Sequence, residues 1–161
     1  MIEINEKLVD KVIKEIERLL KKMDIEGEVK AKIIESQGVE SILVDINTPE
    51  GNLLIGQKGQ TLNTFQYLVR VLLRRKMSQI VNFVIDVNNY REKKEQYLKD
   101  LARDTASRVK SSAKEIELSP MSSYERRIIH LALAKDDRVV TESKGEGSER
   151  RVVVKPATSN Q

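Results

Sequence analysis

Apolar residues in the first half of the chain recur first at helical and then at strand spacing. Residues 2–23 carry a stripe at three- and four-residue steps, which predicts a helix that the Glu26-Gly27 pair ends. Residues 29–36 and 39–47 are rich in Ile and Val and predict two strands. Gln37-Gly38 is the expected hairpin turn between them.

A break at residues 48–51 separates these strands from a second helical pattern. The apolar residues that share one face of this helix are Leu62, Phe65, Val69, Leu72 and Leu73. Residues 79–87 then predict a third strand, because alternate apolar positions point to one side of a strand. These positions are Val81, Phe83, Ile85 and Val87. The predicted order is therefore helix, strand, strand, short helix, helix, strand.

A second region starts near residue 88 with a helix that runs to about Ser112. One face of this helix is expected to carry Tyr97, Leu98, Leu101, Ala102, Thr105 and Val109. Residues 116–118 predict a short strand. Ser122 and Glu125 have the spacing of a capping box, which predicts that another helix starts there.

The last helix is expected to bury Ile128, Ile129, Leu131 and Leu133. Residues 139–143 and 151–155 predict two paired strands. The chain is thus predicted to be an α+β protein of two domains, residues 1–88 and residues 89–161.

The composition limits the classes of function. The chain has 161 residues, a net charge of +4 and a pI near 9.2, which permits a nucleic-acid partner without requiring one. It has no cysteine, so disulfides and cysteine metal sites are excluded. The sequence shows neither an apolar run of membrane-spanning length nor the pattern of a signal peptide. We therefore expect a cytoplasmic protein without a membrane partner.

The turn Gly56-Gln57-Lys58-Gly59 is the most informative short motif. Two glycines around a polar, basic pair let a phosphate chain approach the backbone closely. The amides and the dipole of the following helix favour negative charge at the same place. This is the GxxG loop expected of a KH domain, which clamps about four nucleotides of single-stranded nucleic acid.

The surroundings of this turn are basic. No acid occurs between Glu50 and Asp86, and we expect Arg70 and Arg74 to extend the RNA-binding surface of the loop.

A second candidate motif lies on the capped helix. Arg126 and His130 are four residues apart, share one helical face and can both donate to a phosphate chain. Arg127 and Arg151 add positive charge nearby in the sequence. His130 is the only histidine, and a lone histidine is often a packing residue, so that alternative stays open.

Both halves resemble known domains. The order α-β-β-α-α-β with a GxxG loop in residues 1–88 resembles a type II KH domain. The Arg-x-x-x-His of RRIIHLAL and the hairpin TESKGEGSERRVVV, within residues 90–156, resemble the R-3-H domain. A type II KH domain followed directly by an R-3-H domain resembles the bacterial Jag family, also called SpoIIIJ-associated or KhpB-type RNA-binding proteins. Many members carry an extra N-terminal Jag domain, whereas this chain starts at the KH helix.

The resemblance implies a non-catalytic protein that binds single-stranded RNA, with single-stranded DNA as a second nucleic acid. It implies a post-transcriptional role linked to cell shape and division, and pairing with a small single-KH protein. It assigns nucleic-acid binding to Gly56, Gln57, Lys58, Gly59, Arg126 and His130.

Two other classes of function are weighed against this one. In the first, the protein is an interaction scaffold whose basic surfaces bind proteins. In the second it is an enzyme such as a nuclease, but its carboxylates lack the clustering of two-metal chemistry. Gly51 and Gly56 also have P-loop spacing, but the Lys-Ser/Thr pair is missing. No catalytic residue, metal site or cofactor is therefore assigned. The aromatic content of 4% predicts a minor contribution from base stacking.

Overall fold

A computed structural model of the chain describes residues 4–36, 38–77 and 81–157. The first compact unit extends to Arg91 and the second begins at Glu92, a few residues beyond the predicted boundary. The predicted start of the first helix at residue 2, Gln37 of the predicted hairpin and the predicted start of the third strand at residue 79 lie outside the described residues.

The first unit has the predicted order of elements. They are α1 (Glu6–Lys22), β1 (Glu28–Ser36), β2 (Val39–Asn47), α2 (Gly51–Ile55), a 3-10 turn (Gln57–Gly59), α3 (Gln60–Met77) and β3 (Phe83–Val87). β1 pairs antiparallel with β2, and β2 pairs parallel with β3 in the register Ile42 to Phe83. One face of this mixed sheet packs against the apolar sides of α1 and α3.

Helix α1 is shorter than predicted at both ends. Asn5 lies before the helix, and its side chain accepts a hydrogen bond from the Leu8 amide at 3.0 Å. The helix ends before Glu26 because Asp24 adopts a left-handed conformation, with φ of 57°. The Ile25 amide then donates to the Leu20 carbonyl at 3.0 Å, and the Ile25 side chain is buried. This is a Schellman motif, and it ends the helix before the chain reaches the predicted stop at Glu26-Gly27.

The second unit is built around an antiparallel sheet. Its elements are α4 (Tyr90–Ser112, which starts just before the unit boundary), β4 (Ile116–Glu117), α5 (Ser123–Leu133), β5 (Val139–Lys144), a 3-10 turn (Gly147–Glu149) and β6 (Arg151–Pro156). β6 is the central strand between β4 and β5. Its residues Val152 and Val154 pack into a core with α4 and α5.

Two apolar residues on the predicted faces of α4 and α5 are exposed to solvent. Tyr97 is 59% exposed on α4, and Leu131 is 64% exposed on α5. The rest of each predicted face is buried or half-buried. Each stripe is therefore wider than the face that its helix buries. The third strand also starts at Phe83, later than predicted, although Val81 before it is buried.

Glu15 is a buried acid that joins α1 to α3. It is 4% exposed and forms ion pairs with Arg18 and with Lys76 of α3. Burial raises the pKa of Glu15, but the hydrogen bonds from Lys76 and Arg18 outweigh that effect and leave the pKa below its usual value. The charged carboxylate therefore stabilises the first unit.

We predict that Glu15→Gln lowers the free energy of unfolding at pH 7 by about 1–2 kcal/mol, because Lys76 and Arg18 stay partly hydrated. A lowered pKa stabilises the fold above the pKa of the unfolded state, about 4.3, and this contribution is lost as pH falls through the folded value. The difference in free energy of unfolding between wild type and variant should therefore shrink below that pH. Urea denaturation at several pH values tests this, with the exposed Glu17→Gln as control. Equal effects of both variants would contradict it.

Candidate nucleic-acid interface

The turn between α2 and α3 is held by three residues in left-handed conformations. Gly56 has φ of 67°, Lys58 of 53° and Gly59 of 85°. Gln57 and Lys58 lie at the tip and are exposed, and α3 begins directly afterwards at Gln60. The turn therefore presents a polar, basic tip immediately before the N-terminus of a long helix.

Packing within the first unit requires both glycines of this turn. A Cβ at Gly56 would lie 2.0 Å from the Thr61 hydroxyl oxygen. A Cβ at Gly59 would lie 2.9 Å from Cε1 of Tyr90. The first unit's own side chains therefore require glycine at both positions, since a Cβ at either would collide with them.

Arg70 and Arg74 lie along α3, away from the turn that precedes the helix. A helix rises about 1.5 Å per residue, so Arg70 lies about 15 Å and Arg74 about 21 Å along α3 from Gln60. The Arg70 guanidinium stands over the Phe83 ring, 5.6 Å from its centroid, and Arg74 is exposed. The structure therefore groups Gln57 and Lys58 at one place and puts these arginines elsewhere on the unit.

The predicted capping box at the start of α5 is present. The Ser122 hydroxyl accepts a hydrogen bond from the Glu125 amide at 3.3 Å, and the Glu125 carboxylate accepts one from the Ser122 amide at 2.7 Å. Lys94 of α4 adds an ion pair to Glu125 at 3.0 Å. Burial raises the pKa of Glu125, but the hydrogen bonds from Ser122 and Lys94 outweigh it and lower the pKa.

Arg126 and His130 are turned partly toward the body of the second unit. The Arg126 guanidinium donates to the Met121 carbonyl at 3.0 Å. His130 Nδ1 lies 2.7 Å from the Thr141 hydroxyl, and its Nε2 lies 3.0 Å from the Ser143 hydroxyl. Both ring nitrogens are therefore within hydrogen-bond distance of hydroxyls on β5.

The environment of His130 favours the neutral imidazole. Burial lowers the pKa of His130, and the nearby positive charge of Arg126 lowers it further. A neutral imidazole has one donor and one acceptor nitrogen, and the two hydroxyls can serve either role. The contacts are thus satisfied without a proton being added, as the packing alternative expects.

The arginines at positions 127, 150 and 151 differ in their surroundings. Arg127 is exposed and makes no ion pair within the described part of the chain. Arg151 is paired with Glu149 at 3.1 Å and lies 3.8 Å from a Glu117 oxygen. The motif in the sequence pointed to Arg151 and not to its neighbour Arg150, which is exposed. The Arg150 carbonyl accepts a hydrogen bond from the Met121 amide, so Arg150 lies beside the start of α5.

The family model of the R-3-H domain matches residues 96–156, so the second unit contains this domain. Similar proteins match a larger part of the chain. RNA-binding protein KhpB of Clostridium symbiosum is 36% identical over 92% of the chain and 66% of its own length. Its namesake from Bacillus subtilis is 35% identical over 78% of the chain and 61% of its own length.

A third similar protein, RNA-binding protein KhpB of Lactiplantibacillus plantarum, is 40% identical over 69% of the chain. The match covers 34% of that protein's length, so the chain spans from about a third to about two thirds of these three relatives. The chain belongs to the Jag/KhpB family, as its two motifs predicted. Within residues 4–36, 38–77 and 81–157, every helix is too short or too polar to span a membrane.

We predict that Gly56→Ala destabilises the first unit more than Gly38→Ala does. Both glycines have positive φ, which costs an L-residue about 1–2 kcal/mol. Nothing lies within 4 Å of a Cβ at Gly38, whereas Thr61 must move to admit one at Gly56. The expected loss for Gly56→Ala is therefore larger, about 2–3 kcal/mol. Urea denaturation of both variants measures the difference, and equal losses would exclude the Thr61 contact.

We also predict that wild-type stability declines as pH falls below about 6.5, the usual histidine pKa. The folded state binds a proton on His130 less readily than the unfolded state does, since its pKa is lowered. The contribution of neutral His130 to the free energy of unfolding is complete above the pKa of the unfolded state. It is lost as pH falls through the pKa of the folded state. His130→Gln should flatten this decline between pH 7.5 and 5.5. Thermal melts across that range test it, and parallel curves for both proteins would contradict it.

Proposed function

We propose that the chain binds single-stranded RNA through two modules and performs no reaction on it. The first unit is a type II KH module that holds the RNA backbone at the 56–59 turn. The second is the R-3-H domain, which contacts the RNA from the side of α5. The observation that carries the proposal is the exposed turn on an α-β-β-α-α-β unit, in one chain with an R-3-H domain. The relatives' name, RNA-binding protein, supports it.

The first module suits a backbone contact. Gln57 and Lys58 are exposed at its tip, and the amides that open α3 follow immediately. The N-terminus of a helix attracts phosphate through its unsatisfied amides and its dipole. The surrounding sequence contains no acid from residue 51 to residue 85 that would repel the strand. Arg70 and Arg74 then serve a longer strand that extends along α3.

In the second module, exposed arginines make the phosphate contacts. Arg127 and Arg150 are exposed, and within the described residues neither makes an ion pair. Arg126 keeps a positive charge beside them while its guanidinium also donates to Met121. His130 shapes this surface by packing α5 on β5, and when it is protonated it adds a positive charge beside the phosphate. Two weak sites on one strand bind more tightly than either alone, provided the strand reaches both.

From the family membership of the chain we infer its role in the cell. This role is post-transcriptional, is linked to cell shape and division, lies in the cytoplasm and involves a small single-KH protein as partner. The exposed apolar side chains Tyr67, Leu68 and Val71 on α3 favour such a protein contact. The same patch supports the alternative of a protein-interaction scaffold, for which RNA binding would be weak or absent.

We predict that replacing both Gln57 and Lys58 by Asp weakens single-stranded RNA binding by about tenfold or more, since charged hydrogen bonds to phosphate contribute about 1.5–3 kcal/mol each. Thermal stability should change little, because both side chains are exposed. Fluorescence anisotropy with a labelled RNA and a matched duplex measures the loss. If three to five phosphates are contacted, wild type should show a salt slope of about −2 to −3.5, and the variant a shallower one.

The matched control is Lys11→Asp with Lys14→Gln, which makes the same change in charge on the exposed side of α1. It should bind nearly as well as wild type. An equal loss of RNA affinity in both variants would mean that net charge, and not a contact at the 56–59 turn, causes the loss. Tight binding of the duplex, or cleavage of the labelled RNA in the presence of Mg²⁺, would contradict the proposed function.

A further inference from the structure

Helix α5 presents a stripe to solvent that the R-3-H motif does not include. Tyr124, Arg127 and Leu131 are spaced by three and four residues and so share one face. Tyr124 is 59% exposed and Leu131 is 64% exposed, and Arg127 between them is exposed as well. We call these three residues the α5 stripe. It consists of an aromatic ring and an apolar side chain on either side of a cation.

The backbone that carries the α5 stripe is held in place by the cap of the helix and by the core. Tyr124 sits in the first turn of α5, between Ser122 and Glu125 of the capping box. On the opposite side of the helix, Ile129 and Leu133 are buried in the core of the second unit. The ring of Tyr124 is therefore carried by a backbone that is held by both its cap and its core. A rigid aromatic side chain loses little entropy when it binds a planar ligand.

A second exposed tyrosine is held near the same helix start. Tyr97 of α4 is exposed, and the Lys94 ammonium lies 6.0 Å from the centroid of its ring. Lys94 is also the ion-pair partner of Glu125, the residue that follows Tyr124. Lys94 therefore lies between the Tyr97 ring and the cap of α5, and it brings both exposed tyrosines of the unit to one region.

The charge around the α5 stripe matches a nucleic-acid strand. Glu125 is the only acid from residue 122 to residue 134, and its carboxylate is already occupied by Ser122 and Lys94. Arg127 is part of the stripe, and Arg150 lies beside the start of α5 through the bond from the Met121 amide. Within the described residues neither arginine makes an ion pair. Proteins that bind single strands combine positive charge along the backbone with aromatic rings on which the bases stack.

We propose that Tyr124 is a stacking platform for a nucleobase of single-stranded RNA, with Arg127 on the adjoining phosphate and Tyr97 as a second platform. This inference rests on the proposed function and adds the class of contact that the second module makes. Stacking on an aromatic ring tolerates every base. The R-3-H domain therefore holds bases without selecting their sequence, while the arginines follow the backbone.

The experiment compares wild type with Tyr124→Ala and Tyr124→Phe on two ligands of equal length. One ligand is a labelled oligouridine, and the other is an abasic chain with the same number of phosphates. We expect Tyr124→Ala to bind oligouridine about 5- to 100-fold more weakly. Its affinity for the abasic chain should match that of wild type. Tyr124→Phe keeps the ring and should behave as wild type on both ligands.

A control and a second readout separate stacking from other effects. Val140 is similarly exposed on β5, but the neighbouring Thr141 and Ser143 face His130, so Val140 points to the other side of the sheet. Val140→Ala should therefore bind both ligands as wild type does. With 2-aminopurine in the oligonucleotide, wild type and Tyr124→Phe should quench its fluorescence, and Tyr124→Ala should quench it less.

Each contrary result has its own meaning. If wild type binds oligouridine and Tyr124→Ala binds it equally well, the stacking proposal is wrong and the proposed function stands. An equal loss on both ligands also overturns it, because the tyrosine would then act on phosphates or on the fold. If the substitution changes only self-association in sedimentation, the α5 stripe is a protein contact. Failure of wild type to bind either ligand would remove the proposed function and this inference together.

Discussion

Each unit is organised by the need to cover one face of a β-sheet with helices. In the first unit the apolar sides of α1 and α3 cover the mixed sheet, and in the second α4 and α5 cover the antiparallel sheet. Burying these faces removes apolar surface from water, which is the main favourable contribution to folding. The same burial decides what remains outside, because a helix that buries one side must present the other to solvent.

The two candidate surfaces depend on that constraint in different ways. In the first unit, α3 is held on the sheet, so the turn that precedes it is fixed at the start of the helix. Thr61 and Tyr90 occupy the space at the two glycines and leave Gln57 and Lys58 as the exposed part. In the second unit the surface is a helix side. Its position follows from the burial of Ile129 on the opposite side of α5.

The sequence predicts much of the fold because spacing is a local property. The order of elements, the bounds of β2 at Val39–Asn47 and the capping box all follow from residues close together in the chain. Exposure at the margin of a stripe depends on how far the neighbouring sheet extends, and so Leu131 and Tyr97 are exposed although their spacing places them on apolar faces. The ending of α1 at Asp24 could not be predicted either, since a left-handed aspartate has no pattern of its own.

The candidate sites show the same division between local and distant information. The helical spacing of Arg126 and His130 is visible in the sequence, but the hydroxyls that face the imidazole come from β5. Arg150 and Arg151 are neighbours in the chain, yet within the described residues only Arg151 of these two forms ion pairs, with Glu117 and Glu149. Strand pairing therefore decides which of these two arginines forms ion pairs, and the sequence alone does not give that pairing.

Low aromatic content is a weak argument against base stacking in this chain. The sequence has four tyrosines, two phenylalanines and no tryptophan, which predicts few platforms. Placement matters more than number, because a stacking contact requires one ring that is exposed, rigid and close to positive charge. Tyr124 meets these conditions, whereas Phe65 and Phe83 are buried in the core of the first unit. Composition averages over these two situations, and so it cannot tell an aromatic ring that builds a core from one that is available to a ligand.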